Sequence, residues 1–176
     1  CFAFVGDSTF FASAITGVVN AVYNQTNMVL VVLDNSTTAM TGHQPHPGTG
    51  RTVMGEIVQK INIEQVLRGI GVTEIETINP LELEASVSCV KRMAEKSGVR
   101  AIIFKAPCIA VTKPKAPLHV DQDSCIGCKK CIRDLGCPAI VMNDGKICID
   151  ASMCTGCHLC SQVCPVCAIA GGDDHE

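Results

Sequence analysis

Basic charge, long apolar runs and, over two thirds of the chain, cysteine are all scarce in this sequence. The 14 lysines and arginines are outnumbered by 17 acidic residues, for a net charge of -3. No basic stripe is left to follow a phosphate backbone, which excludes a nucleic-acid partner. No apolar run reaches membrane-spanning length, and the N-terminus lacks the basic region of a secretory signal. The expectation is a soluble protein of the cytoplasm with no membrane partner. Cysteine is nearly missing from the first 118 residues, which hold only Cys1, Cys89 and Cys108.

The other ten of the 13 cysteines fall between Cys125 and Cys167. That asymmetry divides the chain into residues 1–113, a linker at 114–117 marked by Pro114 and Pro117, and residues 118–176. With 176 residues and 47% hydrophobic content, the chain is long enough to bury a core.

The first segment alternates strand-length apolar runs with helical patterns. CFAFV and MVLVVLD read as strands of a sheet buried on both faces. Between them Phe11, Ile15, Val18, Val19 and Val22 recur at helical spacing. A second helix is expected around Ile63, Val66, Leu67 and Ile70, and a strand at EIETI. Asn79 reads as an N-cap, with Pro80 at the first helical position and Glu82 closing a capping box. The helix so opened turns Leu83, Val87, Val90 and Ala94 to one face and stops at Gly98, and VRAIIFK supplies a last strand. This alternation predicts an α/β fold with a doubly wound, mainly parallel sheet and right-handed crossovers.

Ligands of such sheets bind at the carboxyl ends of the strands. Asp7 follows the first strand there, and Asp34 and Asn35 follow the second. Gly6 allows close backbone approach, and the amides of a helix starting near Ser8 or Thr9 suit an anionic phosphate. A carboxylate beside a phosphate needs a cation between them. Magnesium, which takes a few protein oxygens and the phosphate's own, fits Asp7, the Asn35 side chain and a nearby carbonyl. The competing reading makes Asp7 a simple helix cap.

The stretch GDSTFFASAITGVVNAVYNQTNMVLVVLDNSTTAMTG resembles the thiamine diphosphate motif, which opens on Gly-Asp and closes with an Asn after a strand. The resemblance implies magnesium held by Asp7, Asn35 and the Thr37 carbonyl. It also implies a cofactor site made of Gly6, Asp7, Ser8, Thr9, Asn35, Thr37, Thr41 and Gly42. Ser8 and Asp34 depart from the motif's usual Gly and Asn.

TAMTGHQPHPGTGR is long and rich in Gly and Pro, which favours a functional loop. His43, Gln44 and His46 invite a metal reading, but a proline separates the histidines, and no Cys or acid lies close by in sequence. A contact to substrate, cofactor or structure is the commoner role. TGHQPHPGTG resembles the large-subunit family of indolepyruvate ferredoxin oxidoreductases.

The second segment is an internal repeat, CIGCKKCIRDLGCPAI and CTGCHLCSQVCPVCAI. The second copy has the Cys-x2-Cys-x2-Cys-x3-Cys-Pro spacing of bacterial two-cluster ferredoxins, whose fourth cysteine ligates the other cluster. By that pattern Cys125, Cys128, Cys131 and Cys164 hold one 4Fe-4S cluster, and Cys154, Cys157, Cys160 and Cys137 hold the other. The first copy departs from the pattern by placing IRDLG before Cys137. Zinc ribbons present two separated Cys pairs rather than triplets followed by Cys-Pro, and disulfides are rare inside cells. A small α+β ferredoxin-like domain is expected. Cys148 and Cys167 read as buried small hydrophobes, Cys108 as structural, and His158 as a surface residue tuning a cluster.

A carbanion-stabilising cofactor beside two one-electron carriers implies oxidative decarboxylation of a 2-oxo acid. The resemblance adds coenzyme A as acyl acceptor, ferredoxin as electron acceptor, and a smaller beta subunit in a hetero-oligomer. A pyruvate or other 2-oxo acid enzyme, and an electron-transfer module without its own catalysis, are the alternatives. No residue here is nominated as the glutamate that activates thiamine. The resemblance puts that residue in an upstream domain, so the chain is expected to be a fragment or processed piece that does not turn over alone.

Overall fold

A computed structural model describes residues 1–113 and 115–171; Pro114, named above for the linker, lies outside the described residues. The chain divides into two units, Cys1–Val111 and Thr112–Glu176. No helix among the described residues is long and apolar enough to cross a membrane.

The first unit is built on a four-stranded, wholly parallel sheet of β1 (Phe2–Gly6), β2 (Met28–Asp34), β3 (Glu74–Ile78) and β4 (Val99–Lys105), in the order β1-β2-β4-β3. The central strands are the most apolar runs, as a sheet covered on both faces requires. Leu30, Val32, Ala101 and Ile103 meet Val18 of α2 (Ile15–Tyr23) and Ile63 and Leu67 of α3 (Ile63–Ile70). On the opposite face Val29, Val31 and Ile102 meet Cys89 and Met93 of α4 (Leu83–Glu95). Helices on both faces of a parallel sheet are the doubly wound arrangement expected.

Three details differ from expectation. The first strand is not buried on both faces: β1 is an edge strand whose Phe2 and Phe4 are exposed, because α4 packs over β2, β4 and β3 rather than over it. The first helix begins at Asp7, as the short α1 (Asp7–Thr9), and passes through a π-helical turn, Phe10–Ala14, before α2. Its wider i→i+5 bonds shift the buried stripe, so Phe10, Val18 and Ala21 are buried while Val19 is exposed. Asn79 caps no helix: its side chain accepts from the Leu81 amide and its carbonyl from the Glu82 amide, closing a turn. α4 therefore starts at Leu83 with Glu82 at the N-cap and no side-chain cap. It buries Ser86, Cys89 and Met93 and leaves Val87 exposed, although Val90 does pack on the core as expected.

The second unit pairs β5 (Leu118–Val120) with β8 (Ile169–Gly171) and β6 (Ile140–Asn143) with β7 (Lys146–Ile149), both antiparallel. Two short helices, α5 (Lys130–Leu135) and α6 (Leu159–Val163), complete it.

Candidate functional site

Because the sheet is parallel, β1 and β2 deliver Asp7 and Asn35 to the same edge, with Gly6 in register with Leu33. Asp7 is 3% exposed, and its charge is met chiefly by backbone. Oδ1 accepts from the Ser8 amide at 2.8 Å and Oδ2 from the Ser36 amide at 2.8 Å. Ser36 has a φ of 62°, a left-handed conformation that costs a residue other than glycine roughly 1 kcal/mol or more. Its amide is shared with Asp34 Oδ1 at 3.0 Å, and Asp34 in turn pairs with Lys105 at 3.3 Å. Asp34 thus braces the turn. The Asn35 side-chain oxygen accepts from the Thr37 amide at 3.1 Å, and its carbonyl accepts from the Cys108 amide at 3.0 Å, which gives Cys108 a backbone role at this turn.

Asp7 occupies the first turn of the helix and not its cap, a position held by Gly6, which has open space where a side chain would stand. The Ser8 amide, expected to face a phosphate, is taken by Asp7. Thr9 is exposed, as are Thr41 and Gly42 on a turn where the Thr41 hydroxyl meets the Gln44 side chain at 2.7 Å.

Sequence spacing did not reveal His46. Its Nε2 lies 3.2 Å from Asp7 Oδ2, with the two side chains 6% and 4% exposed. The loop signal singled out His46, but only the fold shows that the HPGT turn bends back to β1. His43 is exposed.

The oxygen donors fit magnesium. Asp7, the Asn35 amide oxygen and the Thr37 carbonyl, on turns joined by the Ser36 amide, are hard ligands of the kind magnesium takes.

In the second unit the two cysteine loops repeat one backbone shape. Gly127 and Lys129 have φ of 65° and 59°, Gly156 and His158 have 67° and 61°, and α5 and α6 follow at once. Left-handed residues of this kind curl a loop around an anionic group. Gly156 also has no room for a side chain, since a Cβ would stand 2.7 Å from the Ala116 carbonyl oxygen. Cys125, Cys128, Cys131 and Cys164 line one cavity, with Val120, Ile147 and Ile169 among its apolar walls. Burial raises the Cys131 thiol above its ordinary value, and the neighbouring Cys128 and Cys164 raise it further. Burial likewise pushes the Cys160 thiol up to about 11, helped by Cys157, Cys154 and Cys137. Each quartet thus joins three cysteines of one repeat to the fourth of the other, the donor chemistry of a cubane. The Leu118 amide donates to Cys154 Sγ at 3.4 Å and the Ala168 amide to Cys164 Sγ at 3.3 Å.

Among the described residues no three His, Cys, Asp or Glu side chains stand where they could share one metal ion. A set of one carboxylate, one amide oxygen and one carbonyl would not be a group of that kind, nor would four thiolates that each take a separate iron. Two readings are corrected: Cys167 is exposed with φ of 51°, and Cys148 is half-buried, so neither is a buried small hydrophobe.

A parallel sheet with an acid-amide pair at its carboxyl edge, followed by paired cysteine loops, defines a diphosphate-cofactor domain joined to a ferredoxin-type module. A family model described as thiamine pyrophosphate enzyme, C-terminal TPP binding domain, matches residues 1–104, and one described as a 4Fe-4S dicluster domain matches residues 118–165. The chain belongs to the thiamine pyrophosphate enzymes, through their C-terminal TPP-binding domain. It is 46% identical over 169 residues to an indolepyruvate oxidoreductase subunit IorA of Methanothermobacter thermautotrophicus, covering 95% of this chain and 27% of the relative. The Archaeoglobus fulgidus protein of the same name is 40% identical over 173 residues, covering 95% of this chain and 28% of the relative. That of Thermococcus kodakarensis is 40% identical over 180 residues, covering 93% and 27%. The chain spans about a quarter of the length of these curated relatives.

Proposed function

We propose that this chain is the part of a 2-oxo acid ferredoxin oxidoreductase that carries the diphosphate end of thiamine diphosphate and two 4Fe-4S clusters, with indolepyruvate as the substrate. The observation that carries the reading is the occurrence, in one chain, of the Asp7 and Asn35 turns joined through Ser36 and of four cysteines lining one cavity. The similarity to the indolepyruvate oxidoreductase subunits favours the aryl substrate over pyruvate.

Thiamine diphosphate, when bound, supplies a carbanion that adds to the 2-oxo group and retains the electrons as carbon dioxide leaves. Asp7, Asn35 and the Thr37 carbonyl would hold the magnesium that accompanies the diphosphate. Gly6, Ser8, Thr9, Thr41 and Gly42 border it. Cys125, Cys128, Cys131 and Cys164 hold one cluster, and Cys154, Cys157, Cys160 and Cys137 the other. Clusters held there would supply one-electron transfer toward ferredoxin in the cytoplasm, with coenzyme A as the acyl acceptor. A smaller beta subunit and an upstream domain carrying the activating glutamate complete the enzyme. The domains run 1–113 and 118–176, with 114–117 between.

The test reconstitutes the chain anaerobically. About eight irons with matching labile sulfide, and magnesium-dependent binding of thiamine diphosphate, are expected. Two zincs without visible absorbance would overturn the cluster assignment. Sustained 2-oxo acid oxidation by this chain alone would contradict the need for a further domain. In the assembled enzyme, faster turnover of pyruvate or 2-oxoglutarate than of indolepyruvate would overturn the substrate.

A further inference from the structure

His46 is the one buried side-chain donor among the described residues left without a hydrogen-bond partner, at Nε2. Buried polar groups are almost always satisfied, so such an atom calls for a physical reason. The ring is held from several sides. The Gly48 amide donates to Nδ1 at 3.2 Å, and the Thr49 amide and hydroxyl both donate to the His46 carbonyl, at 2.9 and 2.8 Å. Phe11 packs on the imidazole with centroids 5.8 Å apart. Gly48 packs closely on both rings: a Cβ there would stand 3.0 Å from Phe11 and 3.1 Å from His46, so the rings would have to shift to admit one.

The Gly48 bond also fixes the tautomer. An Nδ1 that accepts a hydrogen bond carries no proton, so the proton of the neutral ring is on Nε2. That contact places Nε2 as a donor rather than as a metal ligand. It faces Asp7 Oδ2 at 3.2 Å without making a hydrogen bond to it, and Oδ2 already accepts from Ser36. His46 also borders a cavity of about 430 Å³ over the carboxyl ends of β2, β3 and β4, walled by Asp34, Thr77, Lys105 and Lys60. The site has room for a further acceptor beside Asp7, because the Asp7 carboxylate does not satisfy Nε2. With a divalent cation on Asp7, an anionic oxygen beside that cation would be such an acceptor.

We propose that the His46 Nε2–H donates to a diphosphate oxygen of the cofactor, with the Gly48 amide holding the imidazole in the donating tautomer. This rests on the thiamine diphosphate reading of the Asp7 site. It makes the HPGT turn a diphosphate clamp that completes, from the far loop, the anion site begun by Asp7 and Asn35.

The test is calorimetric titration of thiamine diphosphate with magnesium into the full 176-residue chain, alongside His46→Ala and His46→Gln. His46→Ala is expected to weaken thiamine diphosphate binding by about tenfold to a hundredfold, the size of one lost hydrogen bond to a charged group. His46→Gln, whose terminal amide reaches a similar place, should recover most of it. Magnesium titrated alone should bind all three proteins equally. The imidazole nitrogen-15 spectrum of the unsubstituted chain should show the His46 proton on Nε2, a result that does not depend on any variant folding. Undiminished thiamine diphosphate binding by His46→Ala, a proton on Nδ1, or loss of magnesium binding in His46→Ala would each overturn the clamp. If the unsubstituted chain binds no thiamine diphosphate, the cofactor reading itself fails, and the clamp with it.

Discussion

The backbone amide of Ser36 donates to Oδ2 of Asp7 at 2.8 Å, across 29 residues of sequence. This bond welds the turn after β1 to the turn after β2, so the residues placed to hold a cation are preassembled by the fold. Asp7→Ala removes the acceptor of the Ser8 amide and one of the two acceptors of the Ser36 amide, which keeps Asp34 Oδ1, in a part-buried site. One unsatisfied donor of this kind costs about 1–3 kcal/mol, and partial relaxation of the turn keeps the loss near the lower end. The expected outcome is a lowered unfolding midpoint together with loss of magnesium-dependent thiamine diphosphate binding, read by urea titration and calorimetry. Asp7→Asn, which keeps an oxygen acceptor, should lose the binding while sparing much of the stability. If both variants bind the cofactor normally, Asp7 is a structural brace only.

Glu76 on β3 gives a small effect of defined sign. A hydrogen bond from Arg92 of α4, at 2.5 Å, is the main cause holding its carboxyl below the usual carboxylate value, and the charges of Arg92 and Lys96 add to it. A depressed folded value means that the stabilisation is present above the ordinary carboxylate range and is lost as the pH falls through the folded value. The pair is half exposed, so its worth is at most about 0.5 kcal/mol. Glu76→Gln should therefore lower the unfolding midpoint slightly at neutral pH and converge with the parent in acid. An equal gap at both pH values would mean that packing, not charge, is at work.

The cysteine quartets make opposite demands on the two repeats. Cys164 lies near Cys131 and Cys137 near Cys160, so the proposed assignment takes each fourth ligand from the other copy. Cys164→Ser should empty the site of the first triplet, and Cys137→Ser that of the second. Each variant should retain roughly four irons in place of about eight. Selective labelling of free thiols would then expose Cys125, Cys128 and Cys131 in the first variant, and Cys154, Cys157 and Cys160 in the second. Exposure of the same triplet as the substituted cysteine would show that each repeat binds its own cluster.

The central strands β2 and β4 were legible to the residue because a strand buried between layers is a largely apolar run, a local property, whereas the edge strand β3 was marked only by the short EIETI stretch. The ends of β1 and β2 made Asp7 and Asn35 legible, and the cysteine spacing is local too. The phase of α4 was not. Asn79, Pro80 and Glu82 carry the signature of a helix start, yet the Asn79 carbonyl accepts from the Glu82 amide and the Ser86 hydroxyl, so they form a turn that delays the helix to Leu83. The π-helical turn at Phe10–Ala14 is equally invisible to a count at 3.6 residues per turn. The approach of His46 to Asp7 depends on where a long loop returns, which no periodicity encodes.

Strand order is a further nonlocal property, and it separates two phenylalanines that the sequence treats alike. Phe10 is fully buried where α2, α3 and the sheet meet, against Leu30, Val32 and Leu67 among others, whereas Phe4 is 68% exposed on edge strand β1. In register, Phe2 sits beside Val29, Phe4 beside Val31 and Gly6 beside Leu33. Phe2, Phe4 and Leu33 therefore share the face that α4 covers only over the other strands, and all three are exposed. Phe10→Ala opens a cavity in the core and should cost about 3–5 kcal/mol, a large part of the roughly 5–15 kcal/mol that holds a domain folded. Phe4→Ala removes a ring already largely in water and should cost less than about 1 kcal/mol. Urea midpoints of the two variants, with the transition slope checked for constancy, measure the difference. Equal losses would mean that Phe4 is covered in solution, and that the exposed face of β1 is occupied by another element in the folded chain.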